Sequence, residues 1–131
     1  MPIAAQGLTT SQFLATKPNL FTSDFQFPVM VLRDSSLEHN IKRMAAYCKG
    51  HGFELAPHAK TPMSPQIAKR QIDAGAWGLT VANFNQARIM VEYGFKKLII
   101  GNEVMEPTSI AEIAKINGSG AGHIIFYIDS L

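Results

Sequence analysis

Two side chains in one short segment could carry amine chemistry. His58 and Lys60 lie in Ala-Pro-His-Ala-Lys-Thr (56–61), which follows a short apolar stretch and comes before Ser64-Pro65. Serine followed by proline is typical of a helix start, with serine as the N-cap and proline at the first helical position. Because side chains alternate along an extended segment, His58 and Lys60 are expected to point to the same side.

The chemistry that this segment could perform is the formation of a Schiff base. A lysine with small and apolar neighbours at the rim of a sheet can be partly desolvated, and desolvation lowers a lysine pKa from its ordinary value of ~10.4. More of the amine is then free to attack a carbonyl carbon. From spacing alone, however, a lysine after a strand is more often a solvated loop residue, and a single histidine is more often structural.

Strand-like and helix-like segments alternate along the chain after residue 26. Strands are predicted at 27–32, 53–57, 77–82, 97–101 and 123–128. Helices are predicted between them, with starts at Ser35, where Glu38 completes a capping box, at Ser64, at Asn83 or Asn85, and near Pro107. The last helix is expected to stop at Asn117-Gly118. Residues 1–26 lack a strong period and are interpreted as an N-terminal arm with a short helix at 9–15.

This alternation predicts an α/β protein whose parallel strands are joined by crossover helices. Two architectures fit the pattern, an open doubly wound sheet and a (β/α)8 barrel of the TIM type. A complete barrel needs about 250 residues, whereas this chain has 131. The barrel alternative therefore predicts about the first half of a barrel, and we expect the sequence to be a piece of a longer protein.

Composition argues against several classes of function. Hydrophobic residues make up 47% of the chain, charged residues 17%, and the net charge is +2, as in ordinary globular domains. No run of Lys or Arg is longer than a pair such as Lys96-Lys97, which argues against a nucleic-acid or membrane-surface site. The single cysteine excludes an internal disulfide, and His39, His51 and His123 lack metal-ligand spacing. The start of the chain lacks the features of a signal peptide, so we expect a cytoplasmic protein.

Three segments resemble the amino-terminal barrel region of the alanine-racemase-like, fold-type III pyridoxal-phosphate (PLP) enzymes. They are Pro-His-Ala-Lys-Thr (57–61), Ser-Pro-Gln-Ile-Ala-Lys-Arg-Gln (64–71) and Ala-Gly-Ala-Trp-Gly-Leu-Thr-Val-Ala (74–82). Residues 27–41 are similar to the opening strand and helix of one branch, which contains D-threonine aldolase, D-serine dehydratase and D-amino-acid deaminase. The resemblance implies that 27–131 form the N-terminal part of a PLP-binding barrel, without its C-terminal β domain.

The resemblance also implies roles for individual residues. Lys60 would be the catalytic residue that forms the internal aldimine with PLP, and His58 would contact the cofactor. Thr80 and Tyr127, at or near strand ends, are further candidates for cofactor contact. Asn102 also lies near a strand end and could face the cofactor, although a cap or a solvated loop position is expected more often for such a residue. The strand at 27–32 would pair with the C-terminal domain, which would also hold any divalent metal, so no metal ligand is expected in this chain.

The implied activity is that of a PLP-dependent lyase acting on D-amino acids of the D-serine or D-threonine type, either a dehydratase (deaminase) or an aldolase. The alternatives within this fold are a PLP-binding homeostasis protein and an amino-acid racemase. The full-length enzyme would be a homodimer that acts on a small amino-acid substrate, and no nucleic-acid or membrane partner is expected. The 131-residue chain alone is expected to be inactive. Pro62 and Met63 stand where many members have His and Lys, which leaves the subgroup open.

Overall fold

The computed structural model describes residues 2–22 and 24–130, and the chain divides into two compact units, Met1–Asp34 and Ser35–Leu131. The first unit contains a short 3-10 helix at Ile3–Ala5 and helix α1 at Thr10–Ala15. Thr9 and Gln12 form a reciprocal capping box at the start of α1, in which each side chain accepts a hydrogen bond from the other's backbone N–H. The predicted short helix at 9–15 is confirmed.

The segment 27–32, predicted to be a strand whose partner lies in a C-terminal domain outside this chain, is unpaired in the structure. These residues take part in no sheet pairing within the described chain, and Met30, Val31 and Leu32 are exposed. An apolar run becomes a strand only where a neighbouring strand satisfies its backbone N–H and C=O groups. No described segment supplies that neighbour, so the apolar composition of the run is not enough to make it a strand.

The second unit alternates helices and parallel strands, as the sequence predicts. Its elements are α2 (Asp34–His51), α3 (Pro65–Asp73), β1 (Leu79–Val81), α4 (Phe84–Glu92), β2 (Lys97–Glu103), α5 (Pro107–Ser119) and β3 (His123–Tyr127). The three strands form one sheet in the order β1-β2-β3, and both pairs are parallel. The α/β class with crossover helices is therefore confirmed.

Residues 53–59, the edge segment, lie beside β1 but form a single bridge rather than a full strand. Leu55 and Pro57 accept hydrogen bonds on their carbonyl oxygens from the N–H groups of Trp77 and Thr80, both at 2.8 Å. The N–H of Ala59 donates to the Thr80 carbonyl, also at 2.8 Å. In a parallel pair of strands every second residue uses both its N–H and its C=O to bind the neighbouring strand. Pro57 is such a residue, and its C=O binds β1, but it has no N–H to donate to β1. The pairing is accordingly reduced to one bridge between residues 58 and 80.

The two faces of the sheet differ, and the difference decides between the two predicted architectures. One face packs against α3, α4 and α5, and its strand residues are almost fully buried: Leu79, Val81, Leu98, Ile100 and Ile124. The opposite face carries the row His58, Thr80, Ile99 and Ile125 in register, and Ile125 is 40% exposed. A doubly wound sheet has helices on both faces, whereas a barrel wall has them outside. The arrangement is that of part of a barrel.

Two predicted helix boundaries are wrong for local reasons. Helix α2 already begins at Asp34, so Ser35 lies inside it and is not its N-cap. Helix α5 continues through Gly118 to Ser119 and ends at Gly120, whose positive φ of 71° suits a residue without a Cβ. Asn117 remains helical, and its side chain exchanges two hydrogen bonds with the backbone of Ile124 at 2.8 and 2.9 Å. These bonds fix α5 against β3.

Glu38, which the sequence assigned to a capping box, instead connects two helices. One of its carboxylate oxygens accepts from Nη2 of Arg70 on α3 at 2.8 Å, and the other lies 3.0 Å from Nζ of Lys42. The hydrogen bond from Arg70 is the largest cause, and that from Lys42 the next, of a pKa of Glu38 below its ordinary value. The ionised carboxylate is therefore the form that the folded chain favours.

This pairing predicts a pH-dependent difference between the chain and its Glu38→Gln variant. A carboxyl group with a lowered folded pKa stabilises the fold above its unfolded pKa, and that stabilisation is lost as the pH falls through the folded value. The midpoint of urea unfolding should thus be higher for the unmodified chain at neutral pH. The two midpoints should converge as the pH falls below the ordinary titration range of a glutamate carboxyl group and through the lowered pKa of Glu38. A difference that stays constant over this range would contradict the assignment.

Candidate active site

His58 and Lys60 lie where the edge segment ends, at the carboxyl edge of the parallel sheet. His58 forms the bridge with Thr80, and Lys60 follows in a turn closed by a hydrogen bond of 3.0 Å from the N–H of Met63 to the Ala59 carbonyl. Carboxyl ends of parallel strands meet at one edge, and barrel active sites gather there. The structure therefore places Lys60 at the edge where the sequence expected it.

The turn after Lys60 is held at its far end by Met63 and by the start of α3. Met63 has a φ of 39°, a left-handed conformation that is uncommon for a residue with a Cβ. Its side chain is partly buried against the hydrophobic core, which anchors that conformation. Ser64 accepts the N–H of Ile67 at 3.4 Å, so the predicted N-cap of α3 is confirmed.

Thr80 ties β1 to the edge segment. Its hydroxyl donates to the Ala56 carbonyl at 2.8 Å, and the residue is only 7% exposed. Thr80 is paired with His58 and so lies on the same face of the sheet. Gly101 lies beside it, where a Cβ would come within 3.1 Å of Thr80 Cγ2. Thr80 therefore has a structural role, and toward a ligand its oxygen can act as a hydrogen-bond acceptor.

The structure does not bring all four predicted site residues into contact. Lys60 and His58 are exposed, so the described residues do not supply the apolar surroundings that the sequence argument expected for the lysine. Tyr127 ends β3 and is 56% exposed. Three strand spacings of ~4.8 Å separate β3 from the edge segment, which puts Tyr127 roughly 14 Å across the sheet from His58.

Two amide side chains bind backbone groups at this edge, and only one of them, Asn102, was considered from the sequence as a residue that could face the cofactor. Gln86, in the first turn of α4, accepts the N–H of Ala82 on Oε1 at 2.9 Å and donates from Nε2 to the Lys60 carbonyl at 3.4 Å. Asn102, on β2, donates from Nδ2 to the Ala82 carbonyl at 3.0 Å. Gln86 follows the N-cap Asn83 at capping-box spacing, a signal for a helix start. Gln86 and Lys60 are 26 residues apart in the sequence, so the spacing of neighbouring residues gives no signal for their contact.

Other features of the second unit lie away from Lys60. Residues 120–122 connect α5 to β3 at the amino edge of the sheet, whereas Gly118 and Ser119 belong to α5. A groove of about 670 Å³ between α2, the edge segment and the end of α3 includes neither His58 nor Lys60. Among residues 2–22 and 24–130 no group of three or more His, Cys, Asp or Glu could hold a metal ion. Within the same ranges no helix is long and apolar enough to cross a membrane.

Comparisons with known proteins relate the chain to one group of enzymes. No family model matches the sequence. The chain is 31% identical over 105 residues to 3-hydroxy-D-aspartate aldolase from Paracoccus denitrificans, which covers 79% of the chain and 27% of that enzyme. It is 34% identical over 89 residues to D-threonine aldolase from Arthrobacter sp., which covers 68% of the chain and 24% of the enzyme.

Solved structures show the same relation. D-threonine aldolase from Filomicrobium marinum superposes with a TM-score of 0.75 at 30% identity, over 82% of the chain and 28% of that enzyme. D-threo-3-hydroxyaspartate dehydratase from Delftia sp. superposes with a TM-score of 0.71 at 26% identity, over 81% of the chain and 27% of the enzyme. The chain thus spans about a quarter of the length of the relatives that it matches.

Proposed function

We propose, from the homology of this chain to one part of the fold-type III PLP enzymes of the D-threonine aldolase and 3-hydroxyaspartate aldolase and dehydratase group, that Lys60 is the lysine that holds the cofactor covalently. The observation that carries the proposal is the position of Lys60. Its primary amine is exposed at the carboxyl edge, in a turn held by Gln86 and Met63. When bound, PLP would supply an electron sink for charge that develops on the substrate's α-carbon.

The donor set at this edge fits the aldehyde end of PLP. Lys60 offers the nucleophilic amine, and the exposed His58 imidazole lies two residues before it, at the end of the edge segment. The Thr80 oxygen can accept a hydrogen bond, and Gly101 leaves the adjacent face without a side chain. The described carboxyl edge has no glycine-rich loop of the phosphate-binding kind. In a protein as long as the relatives, phosphate and ring-nitrogen contacts would come from other strands.

Lys60 would have a second role once the substrate amine replaces it on the cofactor. Its Nζ, when it is not bonded to the cofactor, would be available to accept a proton from the substrate's α-carbon as a general base. In a dehydratase the β-hydroxyl leaves as water after this proton transfer. In an aldolase a base would instead take the proton of the β-hydroxyl group, and the Cα–Cβ bond would break to leave an aldehyde. The electron pair of that bond would pass to Cα, which would then take up a proton to give the amino-acid product. The residues of this chain do not select between the two outcomes.

The proposed substrates are D-amino acids that carry a β-hydroxyl group. The names of the relatives specify D-threonine, 3-hydroxy-D-aspartate and D-threo-3-hydroxyaspartate, all of this type. These relatives are aldolases and a dehydratase, which favours a lyase over the racemase and cofactor-homeostasis alternatives. A mutant of D-threo-3-hydroxyaspartate dehydratase has also been solved in a metal-free form. We propose that in a protein as long as the relatives any divalent metal would be bound by the C-terminal domain, and that such a protein would be a homodimer.

The proposed activity is tested in a hybrid enzyme, because the chain spans about a quarter of its relatives and is expected to be inactive alone. The chain replaces the matching part of Arthrobacter D-threonine aldolase. With PLP, the hybrid should convert D-threonine to glycine and acetaldehyde, or D-serine to pyruvate and ammonia, and should leave L-threonine unchanged. A folded hybrid that binds PLP and converts neither D-amino acid would contradict the lyase proposal.

A further inference from the structure

A row of hydrogen bonds at the carboxyl edge joins β2, the end of β1 and the end of the edge segment. The row ends at the backbone carbonyl of Lys60. Asn102 on β2 donates to the Ala82 carbonyl at 3.0 Å, and the N–H of Ala82 donates to Gln86 Oε1 at 2.9 Å. Gln86 then donates to the Lys60 carbonyl at 3.4 Å. Both polar groups of Ala82, the residue that follows β1, are thereby held, and the row reaches from β2 to the end of the edge segment.

The orientation of the Gln86 amide follows from its partners. The backbone N–H of Ala82 can only donate, so the atom that faces it must be the carboxamide oxygen. The amide nitrogen is then directed toward the Lys60 carbonyl, which can only accept. Asn83 accepts the backbone N–H of Gln86 at 3.0 Å and fixes where α4 begins relative to β1. Gln86 therefore meets Lys60 with a donor, and a glutamate at this position would meet it with a charged acceptor.

We propose that Gln86 is a positioning residue for Lys60 and that Asn102 supports it by holding Ala82. The inference rests on the proposed function, since the position of Lys60 matters most if its amine holds the cofactor. The turn from Ala59 to Met63 is otherwise closed by one backbone hydrogen bond at 3.0 Å. The Gln86 donor connects the middle of this turn to α4, so that Lys60 keeps a fixed place relative to the end of β1.

A helix cap alone would not require glutamine at residue 86. In a capping box the third helical residue contributes an acceptor, and glutamate serves as well as glutamine. A Gln86→Glu variant keeps the acceptor for Ala82 and loses only the donor to Lys60. The matched control is Gln66→Glu, the same change in the first turn of α3, where the Gln66 side chain is exposed and pairs with Ser64.

The first test is hydrogen exchange in the 131-residue chain without cofactor. Gln86→Glu should accelerate exchange of the Met63 amide, which closes the turn, by about five-fold, as expected for the loss of one hydrogen bond. Exchange of the β2 amides should stay unchanged, and Gln66→Glu should change neither. Asn102→Asp, which removes the donor to Ala82, should act in the same direction as Gln86→Glu. Unchanged exchange at Met63, or equal acceleration throughout the sheet, would overturn the inference.

The second test uses PLP followed by borohydride reduction and peptide mapping of the same variants. Gln86→Glu should lower the share of label at Lys60 by about five-fold relative to the unmodified chain, whereas Gln66→Glu should preserve it. Label spread evenly over the lysines of the unmodified chain would contradict the proposed function, and the exchange at Met63 then decides the present inference. Selective label at Lys60 that Gln86→Glu leaves unchanged would overturn the positioning role while supporting the cofactor assignment.

Discussion

Replacing Gly78 by alanine is expected to lower the free energy of unfolding by about 3 kcal/mol or more. A Cβ at this position would lie 2.5 Å from the Lys97 carbonyl oxygen and 2.9 Å from Lys97 Cβ. Gly78 comes directly before β1, and Lys97 is the first residue of β2, so the clash lies between the amino ends of two paired strands. Relief requires a backbone shift, which would disturb the pairing at Leu79 and Leu98.

A matched glycine substitution should have the opposite effect. Gly118 lies inside α5, and a Cβ there would meet nothing within 4 Å. Gly118→Ala should therefore raise the free energy of unfolding by about 0.5–1 kcal/mol, because alanine loses less backbone entropy than glycine in a helix. Urea unfolding followed by circular dichroism measures both variants. Equal stability of Gly78→Ala and the unmodified chain would show that β1 and β2 do not approach as closely as described.

Replacing Lys60 by arginine in the hybrid aldolase is expected to reduce the cleavage of D-threonine to the level seen without PLP. Arginine keeps the positive charge, but its guanidinium does not form a Schiff base with an aldehyde. Lys60 is exposed, so the substitution should leave the unfolding midpoint nearly unchanged. The loss would then be assigned to chemistry and not to folding.

Lys69→Arg is the control for this substitution. Lys69 lies on α3 and pairs with Asp73 at 2.8 Å on an exposed helix face, a contact that arginine can also make. This variant of the hybrid should retain its activity. If the Lys60→Arg hybrid cleaves D-threonine as well as the Lys69→Arg hybrid does, Lys60 is not the lysine that holds the cofactor.

Local pattern was enough to predict most elements of the second unit. Caps at Ser64 and Asn83 and apolar runs in β1, β2 and β3 are signals contained within a few residues of sequence. The segment 27–32 remains unpaired because a strand needs a neighbouring strand, and the neighbour predicted for this segment lies outside the chain. The edge segment was predicted in the right place, although Pro57 reduces its ladder to a single bridge.

The choice between a barrel and a doubly wound sheet depends on which face the helices cover. In parallel sheets both faces are commonly apolar, so the strand sequences alone do not predict which face the helices cover. Ile99 and Ile125 are as apolar as Leu98 and Ile124, yet the first pair lies on the open face and the second on the helix-covered face. The contact of Gln86 with Lys60 was missed for a related reason, since it forms only when the edge segment lies beside β1.

The most direct test of the central claim is to map where PLP reacts with the 131-residue chain. The chain is incubated with one equivalent of PLP, reduced with borohydride and digested, and the pyridoxyl group is located by mass spectrometry. We expect Lys60 to carry the largest share of the label, well above exposed lysines such as Lys69 and Lys115. Label distributed over surface lysines without preference for Lys60 would contradict its assignment as the residue that holds the cofactor.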